Sequence, residues 1–171
     1  QKTIPAIRSL VETLSETYGE QFPVPDECGQ SRTYFSFPSP EQLNQASLWD
    51  LQAQKLGYRA KYIKRLCEDA CSGALDLNAI RQMSYPEAMT CLQSFYGIGE
   101  KVANCVFLFG LHHIDAFPVD TWIRKILLRQ YAPKSRCAKK IPQTRLCQEL
   151  VRENFSQYHG CAGVMQQYIF Y

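Results

Sequence analysis

Lys101 and Asp120, 19 residues apart, are the pair of side chains through which this 171-residue chain could do covalent chemistry. A lysine that is desolvated, or that lies near other cations, gives up its proton more readily and becomes an amine nucleophile. An aspartate brought close to it can manage a proton or stabilise a developing positive charge. Lys101 stands two residues past the turn Gly97-Ile98-Gly99, and Asp120 follows Phe117-Pro118-Val119 where helical spacing resumes. Each also has a plainer reading. A lysine at such a turn is commonly a surface cation beside a phosphate, and an aspartate at a helix start is commonly only a cap.

The elements that must hold this pair can be read from Thr90 to Ile126: a helix, a tight turn, a second helix, a short loop and a third helix opening at Asp120. Apolar residues recur at helical spacing on both sides of the turn, Leu92 and Phe95 before it and Val102, Cys105, Val106 and Phe109 after it. Glycine permits positive φ and a close backbone approach. A helix begun so abruptly leaves its first amides unpaired, and that partly positive end suits a phosphate. The alternative is an αα-hairpin whose glycine merely ends the first helix.

The remainder of the chain reads as helical support. Helix is expected over Ile4–Tyr18, with Ile4, Ile7, Leu10, Val11 and Leu14 on one apolar face, and Gly19 ends it. Residues 20–38 carry three prolines and a glycine and read as loop, with a small extended piece at 33–37. Ser39-Pro40-Glu41-Gln42 and Ser84-Tyr85-Pro86-Glu87 have the form of capping boxes, and Ser47 should cap a short helix through Leu51. Further helices are expected at 60–71, within 77–83, and at 143–154 and 161–170, with a basic loop at 134–140. Nothing alternates with period two, so the fold class is all-α.

Composition sets the outer limits. With 46% hydrophobic and 20% charged residues the chain is globular, and its net charge of +3 permits nucleic-acid binding without requiring it. No apolar run approaches the length of a membrane span, and no secretory signal is expected. Eight cysteines contain no C-x-x-C pair, which argues against zinc or redox motifs and for idle thiols in a reducing compartment, with Cys105 a possible exception. The chain starts at Gln1 and enters helical periodicity at once, so it is expected to be a fragment or processed form of a longer protein.

Two further stretches stand out. Leu56-Gly57-Tyr58-Arg59-Ala60-Lys61-Tyr62 ends one helix and begins the next, leaving an aromatic and an arginine at an exposed turn, or else a loop with a packed tyrosine. Near the carboxyl end, Ala162 to Phe170 carries Gln166 and Phe170, which on residue type alone are a surface amide and a core aromatic.

YGIGEKVANCVFLFG followed by FPVDTWIRKIL resembles the helix–hairpin–helix DNA glycosylase superfamily, and Lys101 with GYRAKYI is similar to its 8-oxoguanine DNA glycosylase branch. The match covers nearly the whole chain as one 1–171 domain, with the hairpin motif at about 87–110 and no N-terminal β domain. The resemblance implies two helical lobes around a cleft. It implies that Gly97, Gly99 and Val102 contact the DNA backbone, Lys101 attacks the sugar and Asp120 assists. Tyr58 would wedge into the base stack, Arg59 would contact the orphaned base, and Gln1 and Lys2 would lie against the opposite strand. Cys105, Phe109, Gln166 and Phe170 would line the base pocket. Carbonyls of Gln93, Phe95 and Ile98 could hold a cation.

The chain also departs from the family pattern. Tyr96 stands at the usual hairpin proline, Trp122 at a usual histidine where it can pack or stack, and Ala6 at a usual arginine. Discrimination for the base opposite the lesion is therefore expected to relax. Cys137, Cys147 and Cys161 are too few and too widely spaced for the iron–sulfur cluster of endonuclease III-like relatives. The expected activity is excision of 8-oxoguanine from duplex DNA through a lysine imine, with AP lyase cleavage and no cofactor. The partner is damaged double-stranded DNA, bound by a monomer in the nucleoid or nucleus, neither secreted nor in a membrane. The alternatives are a glycosylase for another lesion and a non-catalytic DNA-binding module. His112 and His113 are expected to face solvent from a loop.

Overall fold

Thr3 opens the first helix, α1 (Ile4–Tyr18), by accepting the Ala6 amide on its hydroxyl at 3.4 Å, with Pro5 in the first turn. The computed structural model describes residues 3–25, 28–135, 138 and 141–169. Gln1, Lys2, Phe170 and most of the basic loop, Arg136, Lys139 and Lys140 among it, lie outside the described residues. Two compact units follow each other along the chain, Gln1–Asp76 and Leu77–Tyr171.

In the first unit, α1 is followed by α2 (Pro40–Asn44), α3 (Leu48–Leu51), a π-helical turn at Gln52–Leu56 and α4 (Arg59–Cys71). Their core is Leu14, Leu43, Ala46, Leu51, Leu56, Ala60 and Cys67. Only part of the expected apolar face of α1 joins it: Leu14 is buried, but Ile4, Ile7 and Val11 are 78%, 48% and 42% exposed. The expected loop after α1 is in part a hairpin, β1 (Gln21–Pro25) and β2 (Ser31–Phe35), antiparallel with Gln21 opposite Phe35. Both strands are exposed throughout, so neither face carries the apolar alternation that marks a half-buried strand, and the prolines in β1 conceal it further.

The second unit contains α5 (Leu77–Gln82), α6 (Tyr85–Ser94), α7 (Glu100–Cys105), α8 (Thr121–Ile126), α9 (Gln143–Phe155) and α10 (Ala162–Tyr168). α7 runs on through a π-helical turn at Val106–Gly110 with helical dihedrals at the junction, so the two make one rod. Phe117, Ile123, Leu127, Leu146, Leu150 and Phe155 form the core around α8 and α9. The Phe155 ring lies 4.9 Å from Phe117 and 5.4 Å from Tyr131. Val119, Ala162 and Met165 pack against this cluster, which fixes both the segment before Asp120 and α10.

All three expected caps form. The Ser39 amide donates to Gln42 Oε1 at 2.7 Å, the Ser47 amide to Asp50 Oδ2 at 3.0 Å and the Ser84 amide to Glu87 Oε2 at 3.1 Å. The chain is mostly helical, as the all-α reading requires, with the hairpin its one sheet among the described residues.

Candidate active site

The turn between α6 and α7 is built around Gly97, whose φ of 92° is a conformation that side chains with a Cβ resist. Ile98 is buried beneath it and donates its amide to the Phe95 carbonyl at 3.1 Å. Gly99 differs from Gly97. Its φ of −96° is ordinary, and a Cβ added there would meet no protein atom within 4 Å. The fold alone therefore does not require glycine at 99. The open space lies where α7 begins, at the amides left without helical partners.

Lys101 is exposed on the first turn of α7, and among the described residues its side chain makes no hydrogen bond or ion pair. The rod it opens has two unlike sides. Ala103, Asn104, Phe107, Leu108 and Leu111 are buried, whereas Lys101, Val102 and Phe109 are exposed and Cys105 is half-buried. The apolar positions that mark the helical period, Val102, Cys105, Val106 and Phe109, are thus exposed or half-buried, and the core side is the other one. Both stripes satisfy a helical period, and periodicity does not say which one a protein buries. Phe109 is 60% exposed, a large apolar area left on the same side as Lys101.

Asp120 caps α8 as expected. Its Oδ1 accepts the amides of Trp122 at 2.9 Å and Ile123 at 2.8 Å. It ends a strap, Ile114 to Asp120, in which Ala116, Phe117 and Pro118 are buried. Phe117 and Val119 of the strap line a pocket of about 300 Å³ together with Lys101 and Arg124, so a second cation shares the space beside the lysine. Trp122 is 56% exposed and its ring carries the Lys125 ammonium 4.7 Å from its centroid.

Gln166 is 3% exposed, which overturns the surface-amide reading. Its Nε2 donates to the Pro118 carbonyl at 3.2 Å, and its Oε1 accepts from Gln167. The base-pocket candidate on α10 therefore touches the strap that carries Asp120. Phe170, the other candidate there, lies outside the described residues.

Behind the rod is a polar network that sequence reasoning missed. The Tyr85 hydroxyl donates to Asn104 Oδ1 at 2.8 Å, Asn104 Nδ2 donates to the Glu100 carbonyl at 2.9 Å, and Gln148 Nε2 donates to Glu100 Oε1 at 2.6 Å. Asn104 is buried and satisfied, and it braces the first turn of α7 from within. Burial, and secondarily the Glu100 charge, raises the Tyr85 hydroxyl pKa, which keeps it a donor. The one signal was faint: an amide between Ala103 and Cys105 on a rod whose later turn is apolar. His113 is half-buried, its ring 5.1 Å from Phe107, and not simply solvent-facing; His112 is exposed.

In the first unit Tyr58 is 62% exposed, and the Arg59 guanidinium carbon lies 4.6 Å from its ring centroid. The Tyr62 ring meets Tyr58 edge-on at 5.9 Å. The exposed turn is therefore a cation stacked on an aromatic, not a tyrosine packed into a loop. Gln1 and Lys2 lie outside the described residues. Among the described residues no cysteine is in a disulfide, and no group of His, Cys, Asp and Glu is arranged to hold a metal.

Known proteins of similar sequence and structure show the family. The chain is 32% identical over 141 residues to the N-glycosylase/DNA lyase OGG1 of Arabidopsis thaliana, covering 80% of this chain and 38% of that protein. It is 35% identical over 114 residues to a probable N-glycosylase/DNA lyase of Methanothermobacter thermautotrophicus, covering 56% of this chain and 36% of that one. A crystal structure of Clostridium acetobutylicum 8-oxoguanine glycosylase/lyase, in complex with dsDNA containing cytosine opposite 8-oxoG, matches with a TM-score of 0.79 at 29% identity. That match covers 99% of this chain and 54% of the other. The chain thus spans little more than a third of these curated relatives and about half of the solved one. The model of the HhH-GPD superfamily base excision DNA repair protein matches residues 1–153. The chain belongs to the HhH-GPD superfamily.

Proposed function

We propose that this chain carries the catalytic part of a bifunctional DNA glycosylase that removes 8-oxoguanine from duplex DNA and then cleaves the abasic strand. The observation that carries the reading is the start of α7. Gly99 is a glycine that the fold does not need, at a helix end open to a phosphate, with an exposed Lys101 two residues on.

The amides at Gly97 and Gly99 hold a backbone phosphate, with Val102 against the adjacent sugar. The damaged nucleotide is turned out of the stack, since its glycosidic bond is out of reach inside a duplex. Tyr58 fills the gap and Arg59 reads the orphaned base, with Gln1 and Lys2 toward the opposite strand. The base enters between Cys105 and Phe170, beside Phe109, and Gln166 bonds its edge. Trp122 packs against the DNA backbone.

Lys101, deprotonated, attacks C1′ as the bond from C1′ to the base nitrogen breaks. The bonding pair leaves with the base, which takes up a proton. Asp120 stabilises the positive charge developing on the sugar. Opening of the sugar ring gives an imine between C1′ and Nζ, loss of a C2′ proton follows, and the C3′–O bond breaks to release the 3′ phosphate. The scheme uses no cofactor. The carbonyls of Gln93, Phe95 and Ile98 are suited to a structural cation. The extended backbone at Phe95 turns its carbonyl out of the helix, and beyond the Ile98 bond that oxygen keeps a second lone pair. Among the described residues no helix is long and apolar enough to cross a membrane. A monomer acting on DNA in the nucleoid or nucleus fits the proposal.

Borohydride reduction tests it. The protein should be trapped as a covalent adduct on a duplex containing 8-oxoguanine, and Lys101→Ala should abolish trapping. An adduct that persists in Lys101→Ala would assign the nucleophile to another amine. Absence of any adduct with the unaltered protein would leave a DNA-binding module.

A further inference from the structure

Asp115 has no part in the scheme above, yet its carboxylate reaches far along the chain. Its Oδ2 accepts the Gly160 amide at 2.9 Å and its Oδ1 accepts the Ala162 amide at 3.2 Å. These amides lie just before and at the start of α10, where a helix has donors without partners. Cys161, the residue at the N-cap position of α10, makes no side-chain bond to the helix. Asp115, some 45 residues upstream, supplies the capping oxygen in its place. A carboxylate there also meets the positive end of the helix.

Two more bonds join the same segments. The Ile114 carbonyl accepts the Gly163 amide at 2.8 Å, and the Pro118 carbonyl accepts Gln166 Nε2 at 3.2 Å. Contact is close enough that a Cβ on Gly163 would lie 2.0 Å from the Ala116 carbonyl oxygen. Four hydrogen bonds and one backbone-to-backbone contact therefore fasten Ile114–Pro118 to the opening of α10. That segment runs directly into Asp120, and α10 bears Gln166.

We infer that Asp115 is a positioning residue: its carboxylate holds the base-reading face of α10 in register with the strap that ends at Asp120, so that recognition of the base is tied to attack at the sugar. The inference rests on the roles given to Gln166 and Asp120 under the proposed function. It separates two activities that a merely structural residue would not. Excision needs the base read and the sugar charge stabilised together. Cleavage of a preformed abasic duplex has no base to read, and it depends on Lys101 of α7, which none of the four bonds touches.

The test uses the whole chain with Asp115→Ala and Asp115→Asn, the second retaining one acceptor oxygen in case the first folds poorly. Single-turnover excision of 8-oxoguanine should slow by about tenfold or more in Asp115→Ala and by less in Asp115→Asn, as expected for losing charge-assisted bonds. Cleavage of an abasic duplex should stay within about threefold in both. Hydrogen exchange at the Gly160 and Ala162 amides should quicken by about tenfold in Asp115→Ala. Excision and abasic cleavage falling in parallel, or excision unchanged, overturns the inference, as does unaltered exchange. Failure of the unaltered protein to form any borohydride adduct would instead overturn the proposed function, and the coupling with it.

Discussion

At Asp120 one carboxylate oxygen, Oδ1, accepts two backbone amides, and no bond is recorded to Oδ2 among the described residues. Capping and chemistry can therefore be separated by substitution. Asp120→Asn keeps an acceptor oxygen, and asparagine caps about as well as aspartate, so folding should be retained. The charge is lost, and single-turnover excision should slow by at least about tenfold with little change in DNA affinity. A fall in melting temperature at an unchanged rate per folded molecule would make Asp120 a cap and nothing more. At this scale legibility depended on chemistry visible in one short run. Lys101 and Asp120 stood out because each follows a turn that needs explaining. Gln166 was placed by resemblance, since an amide near the end of a chain has no local sign of burial. Asp115 and Asn104 gave no comparable signal: the partners of Asp115 lie 45 and 47 residues away, and Tyr85 lies 19 residues from Asn104.

Helices were legible where their signals are local. The cap serines at 39, 47 and 84 bond to residues three positions on, so spacing alone placed them. Hydrogen bonds from Ser84, chiefly from its side chain and then from its backbone amide, hold the Glu87 carboxyl below the ordinary glutamate range. A folded-state pKa below the unfolded one means that this bond stabilises fully above the unfolded value and is lost as pH falls through the folded value. Ser84→Ala should accordingly lower the melting temperature near neutrality, and the gap from the parent should close as pH drops below about 4. A gap that does not vary with pH would detach the Ser84 effect from Glu87. Which side of a helix is buried was less legible. On α1 the apolar stripe read from the sequence is largely exposed, because burial depends on what packs against the helix and not on its own period. The β1–β2 hairpin escaped for a related reason, since no face of it is buried.

Across the whole molecule the candidate residues are divided, with Tyr58 and Arg59 in the first unit and Lys101, Asp120 and Gln166 in the second. Under the proposed function the duplex must touch both, and the two contributions should come apart in measurement. Arg59→Ala should erase most of the preference for cytosine opposite 8-oxoguanine, about one to two orders of magnitude for a lost bidentate contact. It should leave borohydride trapping at saturating DNA intact. Single-turnover excision opposite each of the four bases, at one fixed salt concentration, measures this. A strong cytosine preference that survives would assign the reading to other residues, Gln1 or Lys2 among them. The overall class was legible because helical periods dominate the chain, and the resemblance implied two lobes, whereas the place of the boundary was not legible, since no change in composition marks Asp76. That division is a single cut: the Leu14–Cys67 cluster lies wholly before it and the Phe117–Phe155 cluster wholly after. On the ribosome, at roughly 5–20 residues per second, the first cluster is complete a few seconds before Gly97 is made. The Gly97–Gly99 turn and Lys101 are thus always the younger part of the growing chain.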